Sequence, residues 1–225
     1  MAFKLENVVP WGRTLDEYRM MFLLNDNDMS KRIAGFGDGP ASFNFEATKQ
    51  GYSVTSFDPI YQFSKDDVQK RIDEVRITVM QQMRENMNNY VWTKIKSLEE
   101  LETVRMSAMR LFLEDFEKGK QERRYIHHEL PDRLTLEDDT FDIGLCSHFL
   151  LMYTVLGFVF HIKAMTEMLR VCKEIRIFPI VDLDANETDL ISNVIDYFKQ
   201  EYEVEIKKTQ YEFQKGDNKL LIIRK

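Results

Sequence analysis

The residues of this chain best suited to chemistry begin with one loop, Gly35-Phe36-Gly37-Asp38-Gly39-Pro40-Ala41. Glycines between a strand and a helix let a ligand approach the backbone closely. The start of the helix adds amide groups that no intrahelical carbonyl claims. Asp58 lies 21 residues after Gly37, at the end of a predicted strand, with Pro59 and Ile60 behind it. A carboxylate there can accept two hydrogen bonds from ribose hydroxyls. Loop and acid together point to a nucleoside-containing cofactor. The pattern alone leaves two cofactors open, because Gly37 and Gly39 also fit the start of a dinucleotide fingerprint whose third glycine falls on Ser42. The plainer alternative is that the glycines serve turn geometry and Asp58 precedes a proline turn.

Proton-transfer candidates are few. His148 has the intrinsic pKa range of a general base, and Tyr153 is a weaker candidate; the structural alternative for His148 is a hydrogen-bonded core histidine. His127 and His128 are adjacent on an expected strand, so their side chains face opposite ways, and His161 falls on a helix. Cys146 and Cys172 form no C-x-x-C pair, which suits reduced, buried thiols in a cytosolic protein. No metal site is expected. Arg13, near Trp11, Gly12 and Tyr18, either pairs with a ligand carboxylate or is exposed in a helix-entry turn.

These residues need a scaffold, and the patterning supplies one. Strands are expected over 31–36, 52–57, 124–128, 141–147, 174–181, 203–213 and 219–224, the last two flanking a Lys-Gly-Asp-Asn turn signal. A short amphipathic helix follows from Leu15, Tyr18, Met21 and Phe22. Another runs from Pro40, tolerated in a first turn, to about Gln50, where Gly51 stops it. Residues 64–117 read as helical, rich in Met, Arg, Glu and Gln, with a Met stripe that marks core or a partner-facing surface. A helix reaches Val171, and a further one spans 186–202 with Asn186 as its cap. The alternation predicts an α/β fold: a Rossmann-like, mostly parallel seven-stranded sheet with helices on both faces and a C-terminal antiparallel hairpin. Residues 1–225 read as one domain, with 1–30 as an N-terminal helical cover and 62–124 as a helical insertion, a lid or substrate wall that also offers an oligomer contact.

At this point the chain resembles a known family. Ile33-Ala-Gly-Phe-Gly-Asp-Gly-Pro-Ala-Ser42 resembles motif I of the class I S-adenosylmethionine (SAM) dependent methyltransferases, and Asp58 is similar to their ribose-binding acid. Leu134-Thr-Leu-Glu-Asp-Asp-Thr-Phe-Asp-Ile-Gly-Leu-Cys-Ser147 resembles their stretch running into strand four, and Glu167-Met-Leu-Arg-Val171 the helix before strand five. The C-terminal hairpin also suits that family and disfavours NAD. The resemblance covers residues 31–61 and 130–225. It departs from the family at Gly35, where an acid is usual, at Ala41, where a third glycine is usual, and at Lys173-Glu174, which lacks a Pro-Gly-Gly turn. It implies a cofactor site of Gly35, Gly37, Asp38, Gly39, Asp58, Pro59, Ile60, Ser147 and Arg13, with Glu129 or Asp132 at the adenine and His148 as the catalytic candidate. The implied activity is methyl transfer from SAM to a small-molecule acceptor, leaving S-adenosyl-L-homocysteine (SAH). The alternative is a SAM- or nucleotide-binding module without catalysis.

Composition bounds the remaining classes. Apolar residues at 44% and charged residues at 31% are globular proportions. A net charge of −7 argues against coating a phosphate backbone. Lys118, Lys120, Arg123 and Arg124 cluster, but Glu117 and Glu122 interleave, so that stretch reads as a solvated loop. The uncharged run 143–160 reaches the length of a membrane span, yet holds Ser147, His148 and two glycines; it reads as strand, loop and helix start. The first residues lack the apolar core of a signal peptide, so the expected location is cytoplasmic.

Overall fold

The computed structural model describes residues 9–225. Residues 1–8, part of the expected N-terminal cover, lie outside the described residues. Seven strands form one sheet: β1 Arg32–Phe36, β2 Ser53–Asp58, β3 Tyr125–His127, β4 Phe141–Ser147, β5 Cys172–Phe178, β6 Glu203–Lys208 and β7 Lys219–Arg224. Their spatial order is β3-β2-β1-β4-β5-β7-β6. The first five are parallel, and β7 runs antiparallel between β5 and β6. The chain thus leaves β1 toward one edge and returns through β4 toward the other. The gap between the carboxyl ends of β1 and β4 is the topological switch point, where open α/β sheets hold ligands.

Seven α-helices accompany the sheet among the described residues: α1 Leu15–Phe22, α2 Asp26–Met29, α3 Phe43–Lys49, α4 Lys65–Glu85, α5 Leu98–Gln121, α6 Gly157–Val171 and α7 Asp189–Phe198. Inner strands are buried along nearly their whole length, as strands covered on both faces must be. One apolar cluster packs β4, β5 and β7 against α6 and α7. A second packs α1 and α3 on the opposite side through Tyr18, Phe22 and Phe43. No helix of the described residues is long and apolar enough to cross a membrane.

Several boundaries differ from the sequence reading, each for a local reason. Pro40 sits in a turn, and α3 begins only at Phe43. The segment 64–117 is two helices, because the chain breaks at Asn86, passes through a short 3-10 turn and restarts where the Ser97 hydroxyl accepts from the Glu100 amide. β3 stops at His127, so His128 stands beyond it. β5 starts at Cys172 and ends at Phe178, since Pro179 has no N–H to extend the ladder. Asn186 does not cap α7: its amide turns back to Asp182, and Thr188 accepts from the Ile191 amide instead. β6 ends at Lys208, so the link to β7 is a ten-residue excursion, 209–218, and no tight turn. Arg124 leaves the solvated cluster and forms a two-pronged pair with buried Asp115 at 2.6 and 2.8 Å.

A buried pair fastens three remote segments. Glu17 of α1 takes a hydrogen bond from Arg105 of α5 at 2.6 Å and one from the Tyr211 hydroxyl at 3.1 Å. Arg105 is 1% exposed and Glu17 6%. Burial raises the carboxyl pKa of Glu17, but Arg105 and Arg13 more than offset this and leave it below its usual value. Replacing Glu17 with Ala strands a guanidinium in the interior, and the expected loss is about 3–5 kcal/mol of unfolding free energy, read from urea midpoints. Because the folded pKa is depressed, Glu17's contribution is present above the unfolded value of about 4.3 and lost as pH falls below it; in E17Q the midpoint should lose that part of its acid dependence.

Candidate functional site

A cavity of about 360 Å³ opens at the switch point. Its floor is the loop after β1. Gly37 has φ +68° and its amide donates to Phe57 O at 2.8 Å, a backbone state that side chains resist. The loop turns here across the ends of β1 and β2. Asp58 closes the corner: its Oδ2 accepts from the Gly39 amide at 2.8 Å and its Oδ1 from the Ile60 amide at 2.9 Å. A carboxylate offers about four lone-pair sites, so two remain for a diol. Burial pushes the Asp58 carboxyl up to about 6, held back by those two amides. Asp58 is therefore mostly ionised at neutral pH. Pro59 and Ile60 line the cavity beside it.

Asp38 behaves differently. Its carboxylate takes hydrogen bonds from the Tyr18 hydroxyl at 2.8 Å and the Ser56 hydroxyl at 2.6 Å. Burial, partly opposed by those two bonds, raises it to about 7. Gly35 lies within β1 and is not among the cavity-lining residues. A Cβ there would lie 1.8 Å from Asp38 Oδ2. The space in which the resembled family carries a side chain at 35 thus holds the Asp38 carboxylate. Gly35→Ala should overpack this corner and cost about 1–3 kcal/mol of stability, with SAH affinity falling in the same variant; thermal unfolding with and without SAH reads both.

The N-terminal segment folds onto the loop. Ser42 N donates to Arg13 O at 3.1 Å, and a Cβ on Gly12 would meet Pro40 O at 2.2 Å. This close apposition places Trp11 and Arg13 over the cavity. The Arg13 Nη1 donates to Trp11 O at 3.2 Å, while its buried Nε has no partner, and among the described residues it makes no ion pair.

β4 delivers Ser147 and His148 to the rim. His148 holds φ +53°, and its amide donates to Phe178 O at 2.7 Å. Its Nδ1 lies 2.8 Å from Ser147 Oγ. Desolvation, with repulsion from Arg13 and Arg105, pushes the imidazole well below its usual range. His148 is neutral at pH 7, and a weaker base than its residue type implies.

A second cavity of about 300 Å³ adjoins the first, and Val9, Trp11, Arg13 and His148 line both. Its other walls include Val79 and Met83 of α4, Asn86, Asn89 and Tyr90 after it, Arg105 of α5, Met152 and Tyr153, the stretch 183–185, and Phe213 and Asp217 of the 209–218 link. The segments near 90 and 215 are tied by an isolated antiparallel bridge between Tyr90 and Gln214, made by Val91 N to Phe213 O at 2.7 Å and Lys215 N to Asn89 O at 2.9 Å.

The structure therefore gathers Gly37, Asp38, Gly39, Asp58, Pro59, Ile60, Ser147, Arg13 and His148 around one cavity, and sets Gly35 behind it. Of the two adenine-side candidates, Glu129 lines the cavity and Asp132 does not. Sequence reasoning missed His128, whose buried Nε2 has no partner; the uncharged stretch Phe149 to Phe160, which reads as an apolar lining in the sequence, places Phe149 and Phe160 on the first cavity. Sequence reasoning also missed the second cavity, whose walls are contributed from segments more than a hundred residues apart. His128 carried a signal: it directly follows a strand end at the switch-point side. Asp217 carried none. Tyr153 lines the second cavity. No group of three or more His, Cys, Asp or Glu that could hold a metal occurs among the described residues.

No family model matches the chain. An uncharacterized protein of Methanocaldococcus jannaschii is 35% identical over 224 residues, covering 98% of each chain. Among solved structures, a TehB-like SAM-dependent methyltransferase from Corynebacterium glutamicum aligns with TM-score 0.50 and 14% identity over 93% of this chain and 86% of that one. A Pyrococcus horikoshii protein aligns at TM-score 0.49 and 10% identity over 93% and 89%. The sheet is that of the class I SAM-dependent methyltransferases, seven strands with the antiparallel pair at one edge.

Proposed function

The chain belongs to the family of the Methanocaldococcus jannaschii protein, and we propose that it is a SAM-dependent methyltransferase acting on a small molecule. One observation carries the proposal: two separate cavities meet at Trp11, Arg13 and His148. A transferase needs two such sites sharing a border, one for the donor and one for the acceptor.

The switch-point cavity suits the donor. The free lone pairs of Asp58 can take a diol, the buried, orphaned Nε2 of His128 can meet an adenine edge, and Arg13 has an unengaged guanidinium face for a carboxylate. Bound SAM supplies a methyl group on a sulfonium that is its own leaving group. The chain's task is alignment and exclusion of water. Arg13 and Trp11 cover the loop from above, and Phe149 and Phe160 supply apolar walls. The second cavity holds the acceptor, and the insertion supplies part of its wall through Val79 and Met83. His148, neutral and on the border, can accept a hydrogen bond from the acceptor and take its proton as methyl transfer makes that group acidic.

Calorimetric titration with SAM, SAH and NAD tests the donor assignment. SAM and SAH should bind, and NAD should not; tight NAD binding without a response to SAM overturns it. Asp58→Ala should weaken SAH by at least about 30-fold, since two hydrogen bonds to a charged group at roughly 1 kcal/mol or more each are lost. Lowering pH through about 6 should weaken SAH binding in the wild type, because the protonated Asp58 carboxyl loses acceptor capacity, and D58A should lack that trend. Labelled SAM against metabolite pools tests turnover; H148A should lower methyl incorporation by about tenfold or more while changing SAH affinity less. SAH binding with no transfer in any pool would favour a non-catalytic binding module.

A further inference from the structure

Within the second cavity one charge stands out. Asp217 is 2% exposed. Its Oδ1 accepts from the Phe213 amide at 3.1 Å, and its own amide donates to Gln214 O at 3.1 Å. Among the described residues it pairs with no Lys, Arg or His. A buried carboxylate without a cation is costly.

The other charges lining this cavity are accounted for. Arg105 is matched by Glu17 at 2.6 Å. Lys215 and Asp184 are exposed, so solvent and salt screen them. Arg13 lies on the border with the donor cavity and is assigned there to the donor's carboxylate. What remains deep on the acceptor side is one acid. It stands among aromatic rings: Tyr90 stacks on Phe213 with centroids 5.1 Å apart, and Trp11 and Tyr153 also line the cavity. An acid beside aromatic faces is a receptor for an organic cation.

We propose that the acceptor carries a cationic amine, anchored by the Asp217 carboxylate beside the rings of Tyr90 and Phe213. This rests on the methyltransferase reading for the word acceptor and for turning Arg13 to the donor side; the cavity's preference for a cation is then carried by Asp217 and the rings. Burial, opposed by the Gln214 and Phe213 amides and by Arg13, raises the Asp217 carboxyl to about 8; a bound cation would restore it to the ionised form. Asp217 is an anchoring residue here. Nothing places it at the transferred methyl group.

The test uses the full chain and three isosteric probes: 2-phenylethylamine, 2-phenylethanol and phenylacetate. Binding is measured by calorimetry or ligand-observed NMR, with SAH titrated separately as the check on the donor site. The amine should bind at least about tenfold tighter than the alcohol and the acid. Asp217→Asn keeps the oxygen that accepts from Phe213 and should abolish that preference while leaving SAH affinity unchanged. Tyr90→Leu should weaken the amine more than the alcohol. An amine that binds no better than its neutral and anionic isosteres overturns the proposal, as does a preference that survives D217N. A protonated Asp217 donating to a neutral group would show as equal binding of amine and alcohol. Failure of SAH to bind would instead sink the donor reading, and the probe ranking would still decide this one.

Discussion

The buried Asp38 carboxylate is the constraint on which the site is built. It joins Tyr18 of α1, Ser56 of β2 and the loop after β1 at a single point. Tyr18 in turn stacks face to face on Phe43, with centroids 4.1 Å apart, at the start of α3. A bond network this enclosed sets loop geometry more firmly than glycines can, because each hydroxyl that leaves it strands a buried acid. The loop so fixed points the Gly39 amide at Asp58, and Asp58 then presents its remaining lone pairs to the cavity. Gly35 is the necessary counterpart: no side chain fits where the Asp38 carboxylate lies.

A second fixed point lies on the other side of Arg13. Glu17, Arg105 and Tyr211 bind α1, α5 and the 209–218 link into one unit. Arg105 and the 209–218 link line the second cavity. The same short helix, α1, thus supplies Tyr18 to the switch-point cavity and, through Glu17, holds Arg105 at the wall of the second cavity. The border residues Trp11 and Arg13 precede that helix by a few positions. The two cavities are therefore set relative to one another by a single N-terminal element that packs directly on the parallel sheet.

Much of this was legible in the sequence. Alternating strands and helices, closed by two terminal strands, are written in local patterning, and the switch point follows from them. Asp58 could be singled out because an acid at the end of the second strand has one common purpose. Other features were illegible for physical reasons. Position 35 read as part of the cofactor loop, yet its role depends on where the Asp38 carboxylate turns, which only packing decides. His148 looked suited to proton transfer by residue type, but burial, joined by Arg13 and Arg105 from remote chain positions, depresses its basicity. The second cavity joins residues near 90 and 215 through a single bridge between Tyr90 and Gln214, and no periodicity announces such a contact. The cap at Ser97 was missed because 64–117 reads as one helix with no break, and the cap at Thr188 because Asn186 competed locally and hydrogen bonding chose Thr188.

The central claim is that a nucleoside donor sits on Asp58 with its reactive end at the Trp11, Arg13 and His148 border. A crystal structure of the chain with SAH tests it most directly. The account predicts both ribose hydroxyls on the Asp58 carboxylate and the sulfur directed to that border, facing the second cavity. SAH bound in the second cavity, or with its ribose away from Asp58, would contradict it.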